Sequence, residues 1–140
     1  MATATKFQDY SEQFARGIHD WDAHTFKVAL TNSAPVATNT VLGDITQISG
    51  TNGYTTGGAT TTIGVSESSG TTTVTGTQVS WTASGGSVGP FQYMVLYNDT
   101  SASDNLVAFW NHGSAVTLSA GDSFTFKFNS ASPGTIFTLA

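Results

Sequence analysis

The hydrophobic residues of this chain change their spacing near residue 24, and this change limits the possible folds more than any other feature. Before it, apolar side chains recur at intervals of three and four, the period of an amphipathic helix. After it, Phe26, Val28 and Leu30 alternate with more polar neighbours, which is typical of a half-buried strand. The sequence therefore predicts a mostly β protein with a short N-terminal helix.

The helical pattern runs from residue 5 to about residue 17. Thr5 and Gln8 have the spacing of a capping box, and Gly17 suits the position after a helix C-terminus. The apolar stripe must pack against its own domain or a neighbouring subunit, and both remain open. We therefore predict an N-terminal arm over residues 1–23 whose apolar residues form a candidate assembly interface: Phe7, Tyr10, Phe14, Ile18 and Trp21.

We predict residues 24–140 to be one folding unit that begins with the strand at Phe26. Roughly eight further strands are expected from residue 60, at Thr60–Val65, Thr71–Gly76, Val79–Thr82, Phe91–Asn98, Leu106–Asn111, Ala115–Leu118, the Phe124–Phe128 alternation and Ile136–Leu139. Phe91–Asn98 and Leu106–Asn111 are apolar at odd and even positions, so they should be central strands buried on both faces. This spacing predicts an antiparallel β-sandwich of jelly-roll type.

The segment between the first two strands is harder to interpret. Val41, Leu42, Ile45 and Ile48 fit either a short helical turn or a bent strand. Two glycine-containing pairs, Asn52-Gly53 and Gly57-Gly58, predict turns or a mobile loop.

Composition excludes several classes of protein. Only 9% of residues are charged, against about 25% in an average domain, while 24 Thr and 16 Ser give a neutral, hydroxyl-rich surface. The four Lys and Arg are scattered in a chain of net charge −5, so we expect no nucleic-acid partner. No apolar run approaches the ~20 residues of a membrane span, and no signal peptide is evident. Without cysteine there is no disulfide or thiolate chemistry.

One pentapeptide imitates a catalytic motif. Gly85-Gly86-Ser87-Val88-Gly89 matches the G-x-S-x-G nucleophile elbow, and Asp99 or Asp104 and then His112 follow in hydrolase order. That motif requires a strand, a sharp turn and a helix, whereas here Pro90 and an apolar strand follow. We interpret it as a glycine-rich connection and expect no enzyme activity and no catalytic residue.

A second cluster could in principle bind a metal. His19, Asp20, Asp22 and His24 are close in sequence, but they match neither a zinc nor a calcium motif, so a polar linker fits them as well. We expect no metal and no cofactor.

Two further features have ordinary structural interpretations. Asn98-Asp99-Thr100 is a glycosylation sequon that also fits a turn. The aromatic residues Trp21, Trp81 and Trp110 could line a carbohydrate groove but are more typical of a core.

Four blocks carry a resemblance to a known family. They are FKVALTNSAPVATNTVLGD at Phe26–Asp44, NGYTTGGA at Asn52–Ala59, WTASGGSVGPFQYMVLYNDT at Trp81–Thr100 and VTLSAGDSFTFKF at Val116–Phe128. In this order they resemble small virion structural proteins encoded near the capsid genes of tailed bacteriophages. The resemblance covers the chain from about residue 5 to its end, and its second and third blocks are the most specific.

The resemblance implies a decoration or cement protein of β-sandwich type, often trimeric, without catalytic residues. We therefore expect a homotrimer that binds the major capsid protein or other virion subunits, made in the bacterial host cytoplasm and placed on the capsid surface. A tail or head-fibre component and a carbohydrate- or host-surface-binding module are the alternatives.

Overall fold

The computed structural model describes residues 3–140. These residues form ten strands, one short α-helix and a 3₁₀ turn at Leu42–Asp44. In chain order the elements are β1 (Ala4–Lys6), α1 (Tyr10–Ala15), β2 (Phe26–Thr31), β3 (Ala59–Thr61), β4 (Ile63–Ser68), β5 (Thr71–Gly76), β6 (Val79–Thr82), β7 (Val88–Asn98), β8 (Leu106–Leu118), β9 (Ser123–Phe126) and β10 (Gly134–Leu139).

The strands form three antiparallel sheets. The largest has the order β1-β8-β7-β2-β3, a second has the order β10-β5-β4, and β6 pairs with β9 in the third. The mostly β prediction is confirmed. The strands divide among three sheets, however, rather than the two of a simple sandwich.

Two apolar clusters lie on the five-stranded sheet. The main core takes side chains from all three sheets, and a smaller second core contains Phe7, Ala29, Ile45, Val95, Tyr97 and Leu106. Along β7, Met94 and Leu96 enter the main core while Val95 and Tyr97 enter the second. The prediction that β7 is buried on both faces is thus confirmed, and the half-buried prediction for β2 is wrong because Ala29 and Thr31 are also fully buried.

Strand boundaries follow local sequence signals where those signals are strong. Thr71–Gly76 and Val79–Thr82 were predicted with the observed limits. Thr60–Val65, predicted as one strand, breaks at Thr62 because β3 pairs with β2 whereas β4 pairs with β5. The two predicted segments Leu106–Asn111 and Ala115–Leu118 are joined in the single strand β8.

The N-terminal segment differs most from the prediction. Residues Ala4–Lys6 form a strand paired with β8, so the helix is limited to six residues, Tyr10–Ala15. The predicted capping box is also wrong, since Asp9 occupies the N-cap and its side chain makes no capping hydrogen bond. The strand forms because β8 offers an edge to Ala4–Lys6 and the second core buries Phe7.

The connection between β2 and β3 is tied closely to β2. The Tyr54 hydroxyl accepts a hydrogen bond from Leu30 N at 3.1 Å and donates one to Gln47 Oε1 at 2.7 Å. Gly58 has φ +81°, and a Cβ there would lie 1.8 Å from Val28 O. Only glycine permits this approach, and the predicted turns at Asn52-Gly53 and Gly57-Gly58 are confirmed.

Candidate assembly surface

The end of α1 determines where two exposed apolar side chains lie. Gly17 N donates to Phe14 O at 3.1 Å and Ile18 N donates to Gln13 O at 3.0 Å, the pair of bonds of a Schellman motif. Gly17 has φ +77°, so the predicted glycine after the helix is confirmed. The motif reverses the chain within one turn and leaves Phe14 and Ile18 at the surface, 37% and 36% exposed.

The five predicted interface residues do not share one face. Phe7 is fully buried in the second core, and Tyr10 and Trp21 are buried in the main core. Only Phe14 and Ile18 remain available to a neighbour. The 3.6-residue spacing therefore grouped side chains that do not lie on one helix. They lie directly after β1, on a short helix and in the turn after it, and they point in different directions.

Phe14 lies beside the last strand of the chain. Its ring meets Phe137 of β10 edge to face, with ring centroids 6.4 Å apart, and Leu139 further along β10 is 51% exposed. A shallow cavity of about 210 Å³ opens between these elements, lined by Lys6, Tyr10, Ser11, Phe14, Phe137 and Leu139. We call Phe14, Phe137 and Leu139 of this cavity, together with the exposed Ile18 that follows the end of α1, the α1–β10 surface.

A layer of packed aromatic rings supports this surface. Trp21 stacks on Phe26 with ring centroids 3.9 Å apart and planes inclined by 5°, and its Nε1 donates to the Tyr10 hydroxyl at 2.9 Å. Tyr10 and Trp21 also contact Phe137 edge on, at 6.2 and 5.3 Å. Burial raises the pKa of Tyr10 to about 12, so its hydroxyl stays protonated at neutral pH. The α1–β10 surface therefore rests on closely packed aromatic rings.

Charged groups near the surface already have side-chain partners. Arg16 and Glu12 form an exposed ion pair at 2.7 Å, one turn apart on α1, and Lys6 Nζ donates to Ser11 Oγ at 2.7 Å. Exposed pairs of this kind contribute little to stability. Since the charges flank the apolar side chains without covering them, a partner would meet mainly apolar atoms.

Asn98 ties the segment after α1 to the end of β7. Its Oδ1 accepts from Thr100 N and Ser101 N at 2.9 and 3.2 Å, which fixes the orientation of the amide. Its Nδ2 therefore points at His19 Nδ1 and His24 Nδ1, at 3.2 and 3.0 Å. Because an amide nitrogen only donates, an imidazole that bonds to it accepts through Nδ1.

This network accounts for the residues considered for metal binding and glycosylation. Asp20 Oδ1 accepts from Asp22 N and Ala23 N, both at 3.1 Å, as in a turn. No group of three or more metal-ligating side chains occurs within residues 3–140. Asn98 is fully buried, so the turn interpretation of the sequon matches its position.

His19 is the most strongly perturbed member of the network. It is 7% exposed, and its Nε2 has no hydrogen-bond partner in the described part of the chain. Burial, assisted by repulsion from His24 and opposed by Asp9, lowers the pKa of His19 to about 4. His19 is therefore neutral at pH 7, in agreement with its acceptor role toward Asn98.

The residues of the hydrolase-like motif have separate structural contacts. Gly85-Gly86 is a bend, and the exposed Ser87 after it leads directly into β7 instead of a helix. Asp99 pairs with Lys27 at 3.2 Å, and His112 packs edge on against Phe124. Within residues 3–140 no hydrogen bond links Ser87, His112 and either candidate aspartate, Asp99 or Asp104.

The three tryptophans are core residues. Trp21, Trp81 and Trp110 are 7%, 4% and 2% exposed. None of them presents a ring face to solvent, so the core interpretation of these aromatic residues is confirmed.

Sequence reasoning missed the C-terminal half of the α1–β10 surface. Phe137 and Leu139 lie about 120 residues after Phe14, and only β10 pairing with β5 brings them beside α1. The one available signal was an apolar pair spaced by two in the last strand, which does not identify a neighbour.

Comparisons with protein-family models, with curated proteins and with solved structures each gave no match. Among residues 3–140, no helix combines the length and the apolar character needed to cross a membrane.

Proposed function

We propose that this chain is a non-enzymatic virion structural protein, a decoration or cement protein that stabilises the mature head of a tailed bacteriophage. The observation that carries the proposal is the α1–β10 surface, where Phe14, Ile18 and Leu139 are exposed and Phe14 packs against Phe137. Exposed apolar patches are typical of protein contacts. The four sequence blocks that resemble phage virion proteins support the choice of partner.

The proposed mechanism is mass action. A subunit that binds only the assembled lattice of major capsid protein stabilises that lattice by the free energy of its own binding. Neutral hydroxyl side chains on the rest of the surface would face water or neighbouring subunits. The protein would act as a homotrimer on the capsid surface, with the α1–β10 surface contributing to contacts between subunits.

The fold belonging to this proposal is a β-sandwich of jelly-roll type. Its support is the main core, which contains side chains from the five-stranded sheet together with side chains from both smaller sheets. Apolar side chains shared between sheets in this way are what a sandwich requires.

The test compares two matched double variants. Ile18→Ser with Leu139→Ser removes two aliphatic side chains from the α1–β10 surface, which are 36% and 51% exposed. The control, Val36→Ser with Val65→Ser, removes two similarly exposed side chains elsewhere, 56% and 43% exposed. Both should fold like the unaltered chain, as judged by circular dichroism and thermal melting.

Binding is then measured on heads of the encoding phage that have been stripped of this protein. We expect the surface variant to lose self-association and head binding while the control retains both. Equal binding by the two variants would refute the role of the α1–β10 surface. Binding of the unaltered chain to tails or fibres, but not to heads, would refute the decoration role.

A further inference from the structure

A second cavity lies on another part of the molecule. A pocket of about 560 Å³ opens between β8 and β9, within the about 300–1,000 Å³ usual for small-molecule sites. It shares no residue with the α1–β10 surface. Its lining residues are Met94, Asn111, His112, Phe124, Thr125, Phe126 and Lys127.

A bulge in β8 builds one wall of this pocket. Tyr93 opposes Asn111 and Phe91 opposes Val116, so β8 advances five residues where β7 advances two. Asn111 Oδ1 holds the extra residues by accepting from Gly113 N at 2.8 Å and from Gln92 Nε2 at 2.9 Å. Bulges commonly redirect side chains next to binding sites, and here His112 is placed on the pocket wall.

The pocket also contains an unneutralised cation. Three of the four fixed cations are engaged by other side chains: Arg16 by Glu12, Lys27 by Asp99 and Lys6 by Ser11. Lys127 has neither an ion pair nor a side-chain hydrogen bond within residues 3–140. In a chain of net charge −5, an ammonium group left unpaired in a pocket is suited to a ligand anion.

The remaining lining combines aromatic and polar groups. Met94 and Phe126 are buried and form an apolar floor, while Phe124 is only half buried. The His112 ring stands edge on to Phe124, with centroids 5.5 Å apart. Since Asn111 Oδ1 is occupied, its Nδ2 is left to donate, and the His112 imidazole can donate or accept.

We propose that this pocket binds a sugar acid, a pyranose ring that carries a carboxylate. Lys127 pairs with the carboxylate, Phe124 packs against the apolar face of the ring, and Asn111 and His112 bond its hydroxyl groups. The site is independent of the proposed assembly function, because no residue is common to the two surfaces.

The experiment is an NMR titration of the ¹⁵N-labelled full chain with three probes at matched ionic strength. They are D-glucuronate, D-glucose, which has the ring without the carboxylate, and inorganic phosphate, which has the charge without the ring. We expect glucuronate to shift the amides of residues 111–113 and 124–127 saturably. Glucose should bind roughly tenfold more weakly, as expected for the loss of one charge-assisted contact, and phosphate should not saturate.

Variants then test the assignment of the cation. Lys127→Gln should weaken glucuronate binding roughly tenfold, whereas Lys6→Gln, which removes a cation outside the pocket, should leave it unchanged. The proposal is overturned if glucose binds as tightly as glucuronate, if phosphate shifts the same amides as strongly, if no probe shifts them, or if Lys127→Gln binds normally.

Discussion

At the scale of single residues, the close approach of Gly58 to β2 requires a residue without a side chain. We expect Gly58→Ala to destabilise the protein by more than about 3 kcal/mol, because a Cβ would collide with Val28 O in addition to straining a positive φ. Gly70→Ala is the matched control, with φ +84° and no atom within 4 Å of its Cβ. It should cost only about 1–2 kcal/mol. Urea unfolding measures both, and equal losses would contradict the steric explanation.

The lowered pKa of His19 predicts that the protein becomes less stable as the pH falls. The unfolded chain protonates this residue near its ordinary pKa of 6.5, while the folded chain resists until about pH 4. Its contribution to stability is complete above about pH 6.5 and is lost as the pH falls from there to about 4. At about 1.4 kcal/mol per pKa unit, the loss is roughly 2–3 kcal/mol between about pH 7.5 and about pH 4.5.

Two variants isolate this effect. His19→Gln keeps an acceptor for Asn98 but cannot titrate, so its free energy of unfolding should fall less over this range than that of the unaltered chain. His112→Gln, at an exposed position, should keep the full acid dependence. Hydrogen bonds from Thr40 and Val41 lower the pKa of Asp44 below its ordinary value of 3.8. Any effect of this carboxylate on stability therefore falls below the pH range tested. If the free energy of unfolding of His19→Gln depends on pH as that of the unaltered chain does, His19 is not the cause of the acid sensitivity.

At the scale of elements, residues 3–22 pack into the same sheet and cores as the rest of the described chain. Deleting them removes β1 from the edge of β8 and the buried side chains Phe7, Tyr10 and Trp21. Each large apolar side chain contributes ~1.5–3 kcal/mol, a serious loss for a domain of about 5–15 kcal/mol total stability. We expect the truncated chain to lack a cooperative thermal transition in calorimetry, and a melting temperature within a few degrees of the full chain would contradict this.

Elements defined by local signals could be predicted from the sequence. The hairpin of β4 and β5 turns at Ser69-Gly70, both with positive φ, and the Thr-rich alternation after it gives the limits of β5. The prediction of a helix over residues 5–17 was wrong because the conformation of its first residues is set by a distant strand rather than by local sequence. Whether Lys6 and Phe7 are helical depends on β8, about 100 residues away, and no local pattern reports that neighbour.

The α1–β10 surface likewise contains residues that local sequence could predict and residues that only distant strand pairing places there. Phe14 and Ile18 were found because a short helix with a glycine after it leaves an identifiable stripe. Phe137 and Leu139 were not found because their place beside α1 depends on the pairing of β10 with β5. The β8 bulge beside His112 was equally hidden, since it exists only relative to β7.

At the scale of the whole molecule, charge and apolar contact oppose each other. In the proposed trimer, three copies that each carry a net charge of −5 would repel one another, while burial of the α1–β10 surface would favour their association. We expect light scattering at micromolar concentration to report three times the 14.5 kDa chain mass. The trimer should become more stable from about 0.05 M to about 0.5 M NaCl, because screening shortens the Debye length from above to below about 10 Å.

The control for this measurement is the Ile18→Ser, Leu139→Ser variant, which should stay monomeric at every salt concentration. Dissociation of the unaltered trimer by added salt would show that ion pairs hold it together, contrary to the apolar contact proposed. If the unaltered chain is a monomer at all salt concentrations, the proposed self-association is refuted.

The pairing of β1 with β8 has a consequence for how the chain is made. Ala4 lies opposite Trp110, so the first strand emerges from the ribosome long before its partner does. At about 5–20 residues per second, that delay is roughly 5–20 seconds. During it the cores that bury Phe7 and Trp21 are incomplete, and the nascent chain carries these aromatic side chains unsheltered. Docking of β1 must therefore wait in biosynthesis until β8 has been translated.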